Sequence, residues 1–143
     1  MLLRLALSLP RDAATVPVSR RILNSALAAI GVEDTCRADI CLALAEACAN
    51  VIMHARTGEV YDVIVRAESD ECVIEVVDTG IGSPVTDLPV VPPDHDSESG
   101  RGLMIIRAMT DAAHLGISPA GGLAIRMVKY LVWRADAPAR RAV

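Results

Sequence analysis

The sequence predicts a single domain of mixed α and β structure, and three observations carry that expectation. Apolar residues recur with helical period over Val18 to Ile30 and again from Asp34 to about Ala55. Shorter stretches, Leu3 to Ser8, Val60 to Ala67 and Cys72 to Asp78, alternate with period two and favour β-branched residues. The chain has 143 residues, 52% hydrophobic and 22% charged, which suits one globular domain with a substantial core.

Taken in order, Leu3 to Ser8 reads as a short strand around Arg4, and Pro10 to Thr15 as loop. The first helix places Ile22, Leu23, Ala26, Leu27 and Ile30 on one face. Pro17 suits its first turn and Gly31 the position just past its end. Asp34 is the expected cap of the second helix. On that helix Cys41, Leu44, Cys48, Val51, Ile52 and Ala55 share a core face. The opposite side carries Asp39, Ala43, Glu46, Ala47, Asn50 and His54. Glu46, Asn50 and His54 line one stripe, with ~6 Å of rise between neighbours. Isolated polar groups among small alanines suit a cleft wall with open space beside it; a solvated polar face remains the other reading.

Arg56 to Glu59 turns the chain into the strand Val60 to Ala67, whose Tyr61, Val63, Val65 and Ala67 share a face. Ser69-Asp70-Glu71 is a hairpin turn leading to the strand that ends at Asp78-Thr79-Gly80-Ile81-Gly82. Strand parity puts Asp78 in the row of Cys72, Ile74 and Val76. A carboxylate facing a core needs a partner, because burying an unpaired charge is costly. The glycines after it let the backbone lie against a ligand. Asp78 is therefore either an acceptor at a pocket floor or a turn-capping residue.

Gly80 to Ser99 shows neither period, holds Pro84, Pro89, Pro92 and Pro93, and contains the run Asp94-His95-Asp96-Ser97-Glu98. A loop this long is a lid, a binding loop or disorder. Gly100-Arg101-Gly102 opens a third helix, Leu103 to Asp111. Glycines there expose N–H groups that, with the helix dipole, favour an anion such as phosphate; a plain hinge is the alternative. His114 to Ser118 and Gly122 to Trp133 read as a final hairpin, with Leu123, Ile125, Met127 and Leu131 facing one way. The expected domain spans residues 1–134, with a frayed, disordered tail over 135–143.

Composition excludes several classes. A net charge of −4 argues against direct nucleic-acid binding. Phe is absent, so the core is aliphatic. Cys36, Cys41, Cys48 and Cys72 form no CxxC pair and read as small reduced core residues of a cytoplasmic protein rather than zinc ligands. No apolar run is long enough to span a membrane, and Met1 to Leu7 is too short for a signal peptide. There is no GxxxxGK[ST] phosphate loop, no third glycine after Gly80-Ile81-Gly82, and Pro89 stands where a calcium loop needs Glu. Asp94, His95 and Asp96 are adjacent and converge poorly on a metal.

What remains is an order: Glu46-x-x-x-Asn50 on a helix, Asp78-x-Gly80-x-Gly82 ending a strand, a long loop, then Gly100-x-Gly102 at a helix start. This resembles the Bergerat-fold ATPases, the GHKL superfamily of gyrase, the heat-shock chaperone, MutL and histidine kinases. The three pieces look like their N box, G1 box and G2 box, with an ATP lid before the last. Ala45-Glu46-Ala47-Cys48-Ala49-Asn50 through His54-Ala55, Gly100-Arg101-Gly102-Leu103 and the strand Gly122 to Lys129 are similar to one branch. That branch is the RsbW-like anti-sigma-factor serine/threonine kinases of bacterial partner-switching systems. The likeness runs from Leu3 to about Trp133.

The resemblance implies a two-layer α/β sandwich, with a mixed, mostly antiparallel sheet covered by helices on one face. It implies ATP and Mg²⁺. Asp78 would accept from the adenine amino group, Asn50 would hold Mg²⁺, and Glu46 would be general base toward a Ser or Thr hydroxyl. Gly80, Gly82, Gly100, Arg101, Gly102 and Leu103 would complete the nucleotide-binding set, the Gly-Arg-Gly cradling phosphates. His54 matches a position often His in that branch and is given no chemistry. The implied partners are a sigma factor, a small antagonist of the STAS type as phosphoryl acceptor, and a second copy in a homodimer. A non-catalytic ATP-binding module that sequesters a partner is the alternative. A histidine-kinase catalytic domain is disfavoured, because no helix with a phospho-acceptor His precedes these boxes.

Overall fold

The computed structural model describes residues 2–54, 59–78, 100–117 and 122–138. Its elements are β1 (Leu3–Pro10), α1 (Thr15–Ile30), α2 (Asp34–His54), β2 (Val60–Glu68), β3 (Glu71–Val77), α3 (Gly100–Met109), β4 (Ala112–Ile117) and β5 (Leu123–Tyr130). The strands form one five-stranded sheet in the order β1-β2-β3-β5-β4. All of its pairings are antiparallel, so no parallel pair accompanies them among the described residues. Helices cover one face, which gives the α+β sandwich that the sequence predicts.

Period-two patterning decides which face. Tyr61, Val63, Val65, Ala67, Cys72, Ile74, Val76, Ile125 and Met127 are all at 0% exposure and pack in the core with Leu23, Leu27, Leu44 and Ile106 from the helices. Each fully buried Val, Leu or Ile contributes roughly 1.5–3 kcal/mol. With no Phe available, Tyr61 is the largest fully buried side chain. Its hydroxyl lies 2.7 Å from Thr15 Oγ1 and ties β2 to the start of α1. The other sheet face also buries Asp62, Ile64, Glu75, Val77 and Ala124. There Ser8 donates to Asp62, and Arg66 pairs with Glu75 at 3.4 Å.

Several boundaries differ from expectation for physical reasons. The first helix begins at Thr15, before Val18, because Thr15 Oγ1 bonds to Asp12 O at 2.7 Å and Asp12 Oδ1 accepts from Ala14 N. The cap of α2 is Glu33, not Asp34: Glu33 Oε1 accepts from Thr35 N at 2.9 Å and Cys36 N at 3.3 Å. Asp34 sits inside the first turn and pairs with Arg37 at 2.9 Å. The third helix runs Gly100–Met109, with Leu103 and Ile106 buried, and Asp111 lies beyond its end.

Gly31 ends α1 at φ 100°, a left-handed position that glycine occupies without steric cost. A Cβ there would also meet the Ala137 Cβ at 2.3 Å. Ala137 is 1% exposed, so this part of the expected tail packs against the C-terminus of α1. Residues 139–143 lie outside the described residues.

All four cysteines are free and buried. Burial pushes the Cys48 thiol up to about 11 and that of Cys72 up to about 12, and it raises Cys36 and Cys41 as well. They stay protonated at neutral pH and are poor nucleophiles, in keeping with a packing role. Among the described residues, no helix is long and apolar enough to cross a membrane.

Candidate nucleotide site

The site is built at the C-terminal end of α2, where α2 packs between α1 and α3 over the sheet. That packing alters one expectation. Ala43 and Ala47 are both at 0% exposure, so they do not flank open space. Their small side chains let neighbouring elements close onto α2, which is why alanines stand there. Glu46, Asn50 and His54 remain half-buried along the edge of that contact.

Asn50 meets the first turn of α3. A Cβ added to Gly102 would lie 2.8 Å from Asn50 Nδ2 and 3.3 Å from its Oδ1. The Asn50 Nδ2 atom is buried with no hydrogen-bond partner among the described residues. An orphaned buried amide costs stability unless something arrives to satisfy it. The sequence places Gly102 as a phosphate cradle; the structure adds that it makes room for Asn50.

The helix itself does not ask for glycine there, since Ala is better in a helix by up to about 1 kcal/mol. Gly102→Ala is therefore expected to melt no lower than wild type. If Asn50 holds Mg²⁺ as the resemblance implies, the substitution should nevertheless weaken Mg²⁺-dependent ATP binding about 10- to 100-fold, the usual cost of disturbing the support of a metal ligand. Thermal melts beside calorimetric titrations with and without Mg²⁺ check this. A variant that binds as tightly as wild type would show that Asn50 needs no such socket.

Asp78 follows the last residue of β3 and is fully buried in the row of Val76, as its parity requires. Its backbone N–H donates to Leu123 O at 3.0 Å, so β5 holds it in place. Gly122 lies directly against it: a Cβ there would be 2.2 Å from Asp78 Oδ2. Gly122 is not among the site residues expected from sequence, where it reads as the start of the last strand of a hairpin.

Of the other expected site residues, Glu46 stands one helical turn before Asn50 on α2. Gly100 and Arg101 lie in the first turn of α3. The Leu103 side chain is 8% exposed and packs in the hydrophobic core, which leaves its backbone in the first turn of α3 as the part that could face a nucleotide. Gly80, Gly82, the expected lid over Gly80 to Ser99 and the run Asp94-His95-Asp96 lie outside the described residues. Among the described residues no cluster of His, Cys, Asp or Glu could hold a metal ion by itself.

A separate groove of about 420 Å³ lies at the other end of α2, lined by Glu33, Cys36, Asp39, Asp111 and Lys129 among others. Its charged groups already have structural work. Glu33 caps α2, Asp39 pairs with Lys129 at 3.5 Å, and Asp111 accepts from Tyr130 N at 2.7 Å.

Comparison with known proteins agrees with this fold. The family model for the histidine kinase-like ATPase domain matches residues 9–129. No curated protein matches the sequence. Among solved structures, the chain is similar to the RsbU and RsbW domains of Rv1364c from Mycobacterium tuberculosis. The TM-score is 0.67 at 21% identity, covering 90% of this chain and 32% of that one. At that identity the likeness is one of fold, and the chain spans about a third of the length of that relative.

Proposed function

The chain belongs to the histidine kinase-like ATPase domain family, and from that premise we propose that it is an ATP-dependent protein kinase of a partner-switching system. Its acceptor is a Ser or Thr hydroxyl on a small antagonist protein of the STAS type, and its other partner is a sigma factor. Unphosphorylated antagonist binds the kinase and frees the sigma factor; phosphorylated antagonist lets go. The proposal includes a homodimer working in the cytoplasm. The fold likeness to a protein that carries an RsbW domain supports the reading.

The observation that carries the catalytic half is Glu46, half-buried one turn before Asn50 on α2. Nucleotide binding alone does not require a carboxylate there. In the proposed step, Glu46 accepts the hydroxyl proton as that oxygen bonds to the γ-phosphorus. The bond from the γ-phosphorus to the bridging oxygen breaks, and ADP leaves. Asp78 accepts a hydrogen bond from the adenine amine and sets the nucleotide's orientation. Asn50 is the side chain that would hold Mg²⁺ through Oδ1, while its buried, unsatisfied Nδ2 is a donor that suits a phosphate oxygen; such an ion, when bound, offsets phosphate charge. Gly100, Arg101 and Gly102 offer backbone N–H groups at the α3 N-terminus to phosphate.

Labelled ATP and Mg²⁺, incubated with the chain and candidate antagonists encoded nearby, test the proposal. Label appearing on a Ser or Thr of an antagonist is the expected result. Tight ATP binding with no transfer to any antagonist would replace it with a non-catalytic module that sequesters its partner.

A further inference from the structure

We infer that Gly122 is the positioning residue for the Asp78 carboxylate, and that through Asp78 it sets the preference for a base bearing an exocyclic amino group. The second half rests on the reading of Asp78 as the adenine acceptor.

The contact is close over the whole Asp78 side chain. A Cβ built on Gly122 would stand 2.2 Å from Asp78 Oδ2, 2.6 Å from its Cγ and 2.7 Å from its Cβ. Non-bonded carbons prefer about 3.5–4.0 Å, so all of these are repulsive. Turning the carboxylate away relieves the first two contacts and leaves the third. The backbone cannot yield easily either. β3 and β5 are paired through Val77↔Ala124, and Asp78 N donates to Leu123 O at 3.0 Å, beside Gly122 itself.

Nor does backbone conformation explain the glycine. Among the described residues Gly31 is the only glycine with positive φ, so a left-handed backbone is not what calls for glycine at position 122. Space for Asp78 is what glycine supplies there. Gly102 differs, because an added Cβ would meet mainly the far end of the Asn50 side chain, which can swing aside.

The consequence concerns specificity. A carboxylate only accepts hydrogen bonds, so its placement decides which base edge it can read. Sites built around a substrate N–H reject analogues that lack it far more strongly than apolar pockets reject a missing methylene. Any side chain at position 122 displaces the acceptor and should erode that discrimination before it affects phosphate contacts.

The test titrates the full chain with ATP and with purine riboside triphosphate, which lacks the 6-amino group. Wild type should prefer ATP roughly 10- to 150-fold, the range of one charge-assisted hydrogen bond. Gly122→Ala should bring that ratio close to one, with the affinity for the analogue nearly unchanged. A variant that weakens both nucleotides equally overturns the inference, because a purely structural role would act that way.

Thermal melts keep the idea testable if Gly122→Ala folds poorly. Its destabilisation should largely vanish when it is introduced into Asp78→Gly, where the opposing side chain is gone. Equal destabilisation in both backgrounds would mean that Gly122 acts on something else. If Asp78→Asn leaves the ATP-to-analogue ratio of wild type intact, the adenine reading fails, and with it the specificity half. The melting comparison then still decides the positioning half.

Discussion

Replacing Asp78 with asparagine is expected to lower ATP affinity roughly 10- to 150-fold while leaving the fold intact. The carboxylate is fully buried at the end of β3, tied by its backbone to Leu123 and faced by Gly122. Asparagine has nearly the same shape, so the packing against Gly122 survives. The change is chemical: an acceptor-only group becomes an amide that also presents donors. A hydrogen bond from the adenine amine to a carboxylate is charge-assisted and contributes about 1.5–3 kcal/mol. Dividing by about 1.4 kcal/mol per tenfold gives the stated range. Calorimetric titration with Mg²⁺ and ATP reads the affinity, and a melt confirms that the variant is folded. A folded variant with wild-type affinity would remove Asp78 from the adenine site.

The sequence revealed what depends on local period and missed what depends on contacts between distant residues. Asp78 was legible because a strand alternates strictly, so three buried neighbours at the same parity fix its direction. Gly31 was legible because left-handed helix ends favour glycine. Ala43 and Ala47 were misread as beside open space. A helical wheel cannot distinguish a face lining a cleft from one closed by neighbouring elements, and α2 packs against α1, α3, β3 and β5. The cap of α2 fell on Glu33 because a longer side chain reached the same N–H groups expected to be served by Asp34. The Gly102 contact with Asn50 and the Gly122 contact with Asp78 join elements far apart in sequence. Each exists only once α3 meets α2 and β5 inserts between β3 and β4. No motif spacing encodes that insertion, so Gly122 read as an ordinary hairpin glycine.

Glu46→Gln separates catalysis from binding most sharply. Glutamine keeps the size and helix propensity of glutamate and removes the proton acceptor. Glu46 is half-buried and does not belong to the hydrophobic core, so the exchange leaves the core untouched. The variant should bind Mg²⁺ and ATP as wild type does and still hold both protein partners. General-base catalysis is worth about 10²–10⁴-fold, so phosphoryl transfer to the antagonist should slow at least about a hundredfold. Asn50→Ala should fail differently. It deletes a side-chain oxygen of the kind that holds Mg²⁺, so ATP binding itself should weaken, and only when Mg²⁺ is present. Single-turnover transfer measured beside nucleotide titration distinguishes the two phenotypes. Transfer by Glu46→Gln at the wild-type rate would show that another group takes the proton. Loss of ATP binding in that variant would instead make Glu46 a ligand-binding residue, and the i, i+4 pair with Asn50 would then serve binding alone.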